Sequence, residues 1–172
     1  MKTLEILNTL RDLIAAIRLN VTGGSDELLF ETVQLYPNKR LDEALRTLIL
    51  TKKRVCLVVP TGVQRDVSDK IGALSVLGRK SIEVAIIYSD VAYFKAEQRT
   101  AFGADNNLGL FAFDELIEDA ICAKAISPFG GVVLGDSSPI ILSDSAAKDA
   151  PGRTAWLMEA IVPAGIIAEA VL

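Results

Sequence analysis

The sequence predicts an α/β chain of the α+β kind: a mixed, mainly antiparallel sheet flanked by helices, with a long projecting hairpin near the C-terminus. Three observations lead there. Apolar residues recur every three or four positions in some segments and every second position in others, the two periods of helix and strand. Hydrophobic residues make up 51% of the chain but aromatic ones only 6%, and 23% charge keeps it away from the disordered class. A length of 172 residues suits a single domain with a substantial core.

Leu4, Leu7, Leu10, Ile14 and Ile17 place one stripe along a helix from about Thr3 to Arg18. Gly23-Gly24-Ser25-Asp26 breaks it, and Leu28 to Tyr36 then alternates as a half-buried strand up to Pro37. Asn38 is placed to cap a second helix. Its stripe is Leu41, Ala44, Leu45, Leu48 and Ile49, with Asp42 and Glu43 at the positive end of the helix dipole and an end near Lys52. Val55 to Val59 is apolar on both strand faces and stops at Pro60-Thr61-Gly62, which predicts a central strand covered on both sides. Val63 to Arg79 reads equally as loop or short helix.

Ile82, Val84, Ile86 and Tyr88 alternate with Ser81, Glu83 and Ala85, a strand ended by Ser89-Asp90. The stretch to Leu110, with Tyr93, Phe94, Phe102 and Gly103, reads as a partly ordered excursion or a short helix and loop. Phe113, Leu116, Ile117, Ala120, Ile121 and Lys124 share one face of a further helix, and Glu115, Glu118, Asp119 and Cys122 the other. Ser127-Pro128-Phe129-Gly130-Gly131 ends it. Short strands at Val132 to Leu134 and Ile140 to Leu142 precede a polar connection from Ser143 to Arg153. In the last strand, about Thr154 to Val162, Trp156, Met158, Ala160 and Val162 point one way. Pro163 to Leu172 forms an apolar C-terminal extension, to be packed on its own sheet or on a partner.

The chain has no histidine, the side chain that dominates general acid/base catalysis, nucleophile activation and zinc ligation near neutral pH. That weighs against most hydrolase and zinc readings. Val132 to Ser137 ends in Gly135-Asp136-Ser137 and resembles the nucleophile block of the SGNH esterases, but no imidazole is present to take the serine's proton. A plain turn accounts for those residues. Cys56 reads as core, and Cys122 as an incidental thiol or a subunit contact. Glu115, Glu118 and Asp119 read as a solvated acidic face sooner than a metal site. The phosphate-loop patterns GxxxxGK[ST] and GxGxxG do not occur, so neither metal nor cofactor is expected.

A net charge of −4 and a pI near 4.9 oppose a general nucleic-acid role. Two distant cysteines point to a reducing compartment. The early residues Glu5, Arg11 and Asp12 interrupt any signal-peptide core, and no run approaches the roughly 20 apolar residues of a membrane helix, so a soluble cytoplasmic protein is expected. Lys39-Arg40, Lys52-Lys53-Arg54 and Arg79-Lys80 form basic knots at predicted element boundaries. They serve solubility and helix-end charge, or docking onto an acidic neighbour.

The element order, with the segments Arg54 to Pro60, Ser81 to Ile87 and Arg153 to Val162, resembles the tail-terminator proteins of long-tailed bacteriophages and their prophage-derived relatives. The likeness covers most of the chain and is one of layout and strand texture. It implies a structural, non-enzymatic protein of the virion tail, assembled in the host cytoplasm. It further implies a ring of six copies that stops tail-tube growth, with the tail-tube protein and a head-completion protein as partners. The candidate assembly contacts are Lys52, Lys53, Arg54, Asp144, Lys148, Asp149, Arg153, Ile166 and Ile167. The competing readings are a ligand-binding or interaction domain outside phage biology, and an enzyme using carboxylate chemistry without histidine.

Overall fold

A computed structural model describes residues 2–20, 26–36, 54–67, 75–90, 110–122, 124–140 and 154–170. The elements are α1 (Thr3–Ala15), β1 (Arg18–Asn20), β2 (Asp26–Leu28), β3 (Thr32–Leu35), β4 (Val55–Val67), β5 (Ser75–Asp90), α2 (Leu110–Cys122), β6 (Val133–Ile140) and β7 (Thr154–Ala170). β1 and β2 pair as a small antiparallel hairpin, and a five-stranded sheet runs in the order β3-β4-β5-β7-β6. Only β3 and β4 are parallel; the other neighbours are antiparallel. This is the mixed, mainly antiparallel sheet that the sequence predicts.

The first helix forms where expected, with the Glu5 carboxylate accepting the Lys2 backbone N–H at 2.8 Å. Its buried face is Ile6, Leu7, Leu10 and Ile14, whereas Leu4 is 60% exposed. At roughly 100° per residue Leu4 falls well off the face centred on Leu10, and Ile6 takes the place assigned to it. The helix stops before Arg18, which opens β1. The strand foreseen from Leu28 to Tyr36 is broken, because Leu29 and Phe30 are both buried and successive residues of a strand point to opposite faces.

Alternation divides the core into two. Cys56, Val58, Ile82, Val84, Ile86, Tyr88, Trp156, Met158, Ala160 and Val162 belong to one cluster with α1 and with Phe113, Ile117 and Ile121 of α2. Val55, Leu57, Val59, Ala85 and Ile87 form a second on the opposite face, joined by Tyr36, Ile140 and Leu157. Val55 to Val59 is therefore covered on both sides, as its continuous apolar run implies. Phe30 meets Phe113 edge-on at 5.7 Å, and the Tyr88 hydroxyl donates to Asp114 Oδ1 at 2.6 Å, fastening α2 to the sheet.

Four strands run longer than the sequence implies. β4 continues through Pro60-Thr61-Gly62 to Val67, with a register shift between Pro60 and Gly62 that makes Thr61 the extra residue of a bulge. Pro60 is tolerated because the pairing of β3 with β4 ends at Val58, so the missing N–H breaks no described ladder bond. β5 begins at Ser75, so both ends of the Val63 to Arg79 segment, which reads from sequence as loop or short helix, are strand. Gly135-Asp136-Ser137 is not a turn: it lies inside the single strand β6, at a register shift between Leu134 and Ser137. β7 likewise runs on to Ala170, so residues 163–170 of the apolar extension pair with β5 of their own sheet.

The turn after α2 seats on this sheet. Ser127 is buried, its Oγ donates to the Pro163 carbonyl at 2.7 Å and accepts the Phe129 N–H at 3.2 Å, and Gly130 adopts φ +137°, a conformation that favours glycine. The predicted second helix, the excursion before Leu110 and the connection from Ser143 to Arg153 with its hairpin tip lie outside the described residues.

Two outcomes follow from this packing. Ile86→Ala is expected to cost about 2–4 kcal/mol, a cavity in a face packed between helix and sheet, while Leu4→Ala stays within about 0.5 kcal/mol; urea denaturation midpoints measure both. Burial pushes the Cys56 thiol well above its ordinary pKa, while Cys122 is exposed. A thiol reagent near neutral pH is therefore expected to modify Cys122 alone in the folded protein and both cysteines in denaturant.

Candidate docking surface

Beyond the second core cluster the sheet carries an open cleft of about 350 Å³, lined by Thr61, Glu83, Val84, Ala85, Leu157, Glu159, Ala160 and Ile161. Glu83 stands on β5 opposite Ile161, and Glu159 stands on β7 opposite Ala85, so the two carboxylates are diagonal neighbours on one face. Two bulges frame them. Gly62 follows the β4 bulge and is the register partner of Glu83; Gly135 lies in the irregular part of β6 alongside Glu159.

The glycines decide where the carboxylates lie. A Cβ added at Gly62 would meet Glu83 Oε2 at 2.5 Å, and one at Gly135 would meet Glu159 Cβ at 3.1 Å and Oε2 at 3.5 Å. Glu83 thus leans outward over β4 and Glu159 outward over β6. Ala85, Leu157 and Ile161 remain between them as an apolar floor, and Val133, 60% exposed, extends it opposite Ile161. Among the described residues neither carboxylate has an ion-pair partner. An apolar floor between separated anionic walls suits a segment that is itself apolar and cationic.

A basic group lies farther along the same strands. Arg65 on β4 is the register partner of Lys80 on β5, and Asp66 is that of Arg79. Arg65 and Arg79 are exposed and Lys80 is half-buried, and among the described residues none of the three is ion-paired. Arg79-Lys80 was expected at an element boundary but lies inside β5. Like charges directly opposite in a sheet repel, so the Arg65/Lys80 pair costs stability until an anion approaches.

The other predicted contacts are distributed differently. Arg54 is committed within the chain, its guanidinium paired with Glu27 and its carbonyl accepting the Glu31 N–H at 3.0 Å. Ile166 and Ile167 lie in β7 at the register positions of Arg79 and Gly78. Lys52, Lys53, Asp144, Lys148, Asp149 and Arg153 lie outside the described residues. Sequence reading passed over Glu83 and Glu159 because each sits singly in an apolar strand; the available signal was a glutamate at a face position of a strand facing glycine-bearing neighbours.

The serine of the esterase lookalike has a structural place. Tyr88 donates to Asp114, and Ser137 is the register partner of Met158, which places that serine on the helix-covered face. Burial first, then Asp114, raises the Tyr88 pKa, and the nearby Ser137 hydroxyl opposes them. Among the described residues no group of three or more potential metal ligands gathers, and no helix is long and apolar enough to cross a membrane. No protein-family model matches the chain, and no curated protein matches it in sequence.

The two glycines should respond differently to a methyl group. Gly62→Ala meets only the end of a flexible carboxylate and is expected to stay within about 0.5 kcal/mol of wild type while turning Glu83 toward the cleft. Gly135→Ala meets Cβ and backbone of β7, which cannot swing away, and is expected to destabilise by about 1–3 kcal/mol. Chemical denaturation of both variants checks the contrast.

Proposed function

We propose that the chain is a structural subunit of a phage or prophage-derived tail, of the tail-terminator kind, assembling as a homo-oligomeric ring that ends the tail tube and offers a surface to a head-completion protein. One observation carries this reading: β4, β5 and β7 overrun the part of the sheet that their neighbours cover. β3 pairs with β4 only over Val55 to Val58, and β6 pairs with β7 only over Ala155 to Ile161. Among the described residues, β4 beyond Val58 and β7 beyond Ile161 therefore have no strand on their outer sides. Long uncovered strand edges invite pairing with another chain, and assembly into a closed ring removes them.

The element order and the closing strand Thr154 to Val162 support the same reading through the layout they share with that family. A ligand-binding module is the second reading, and the cleft between Glu83 and Glu159 is what favours it. A protein that stays monomeric at every concentration would favour such a module.

Sedimentation velocity over a wide concentration range, with negative-stain microscopy of the same samples, is the test. Rings are expected, either in solution or at the ends of tubes polymerised from a tail-tube protein. A protein that stays monomeric and leaves tube ends bare would overturn the proposal.

A further inference from the structure

We infer that the cleft between Glu83 and Glu159 receives the Arg65/Lys80 end of a second copy of this chain, in a head-to-tail contact; the inference rests on the ring reading and names its interface. The first ground is charge complementarity. Each molecule carries two carboxylates around an apolar floor and, beyond them on the same strands, a cationic pair placed directly opposite across β4 and β5. Neither group is ion-paired among the described residues.

The second ground is that one molecule cannot bring the two together. β5 keeps a regular alternation, so Glu83 and Lys80, separated by an odd number of positions, point to opposite faces of the sheet. Arg65, as the register partner of Lys80, shares its face. The cationic end is thus turned away from its own cleft and is free to enter another.

The third ground is geometry. Acid cleft and basic end are different patches, so a contact between them is heterologous, and heterologous contacts close into rings when the rotation between copies allows it. The apolar floor of Ala85, Leu157 and Ile161 would receive the aliphatic stems of Arg65 and Lys80, while their charged heads reach the carboxylates that Gly62 and Gly135 allow to lie apart.

Two charge-reversed proteins test the contact: E83K/E159K, with a reversed cleft, and R65E/K80E, with a reversed end. Each alone is expected to associate at least about tenfold more weakly than wild type, since like charges then face each other. An equimolar mixture is expected to recover assembly, because every junction in an alternating ring again joins opposite charges. Wild-type association should weaken with added salt.

Thermal midpoints show whether the variants are folded. Should reversal unfold either protein, E83Q/E159Q and R65Q/K80Q replace the pair, and the expected result is loss of the salt dependence. Single variants that assemble like wild type, or a mixture that fails to recover, would overturn this contact while leaving the ring itself standing. Wild type that never associates, even at tube ends, would overturn both.

Discussion

The structure depends on the central strand β5, which is hydrogen-bonded on both sides along most of its length. Its antiparallel partners β4 and β7 absorb the irregularities: each bulges, at Thr61 and beside Pro163, while β5 keeps its alternation. A continuous strand with a period of two fixes the face of every neighbour that pairs with it. Ile82, Val84, Ile86 and Tyr88 are thereby committed to the helices, and Ala85 and Ile87 to the opposite cluster. A one-residue slip would exchange Glu83 for Val84 on the helix-covered face, burying a charge without a partner at a cost far above that of a lost methyl. Register and charge placement are thus one constraint.

That constraint also explains what the sequence could tell. Val55 to Val59 and Ile82 to Tyr88 were legible because branched apolar residues with strict alternation leave few options, and α2 because Phe113, Ile117 and Ile121 recur at helical spacing. Strand ends were not legible. Pro60, Gly62, Gly135 and Pro163 are turn residues by local chemistry, and each lies within a strand because pairing with β5 or β7 outweighs local preference. Proline is tolerated at these places since each faces an uncovered side or a bulge. The candidate site was hidden for the same reason: it is created by bulges, and a bulge is a property of two strands together.

The bulges also account for the arrangement of charge. In a regular sheet, side chains opposite Glu83 and Glu159 would crowd the carboxylates toward the space between β5 and β7, where they would repel one another over an apolar floor. Placing Gly62 and Gly135 there lets each carboxylate rest over the neighbouring backbone, so the floor stays open and the anions stay apart. This gives up the packing and backbone stiffness that larger residues would supply in two strands. At Gly135 the close approach of the Glu159 Cβ itself calls for glycine, whereas at Gly62 a methyl group would meet only the movable end of Glu83, so folding alone does not require glycine there. Glycine at Gly62 gains a purpose if something enters the cleft, and the strands' own far end, with Arg65 and Lys80 held side by side on the opposite face, has the charge and the stems to do so from a neighbouring copy.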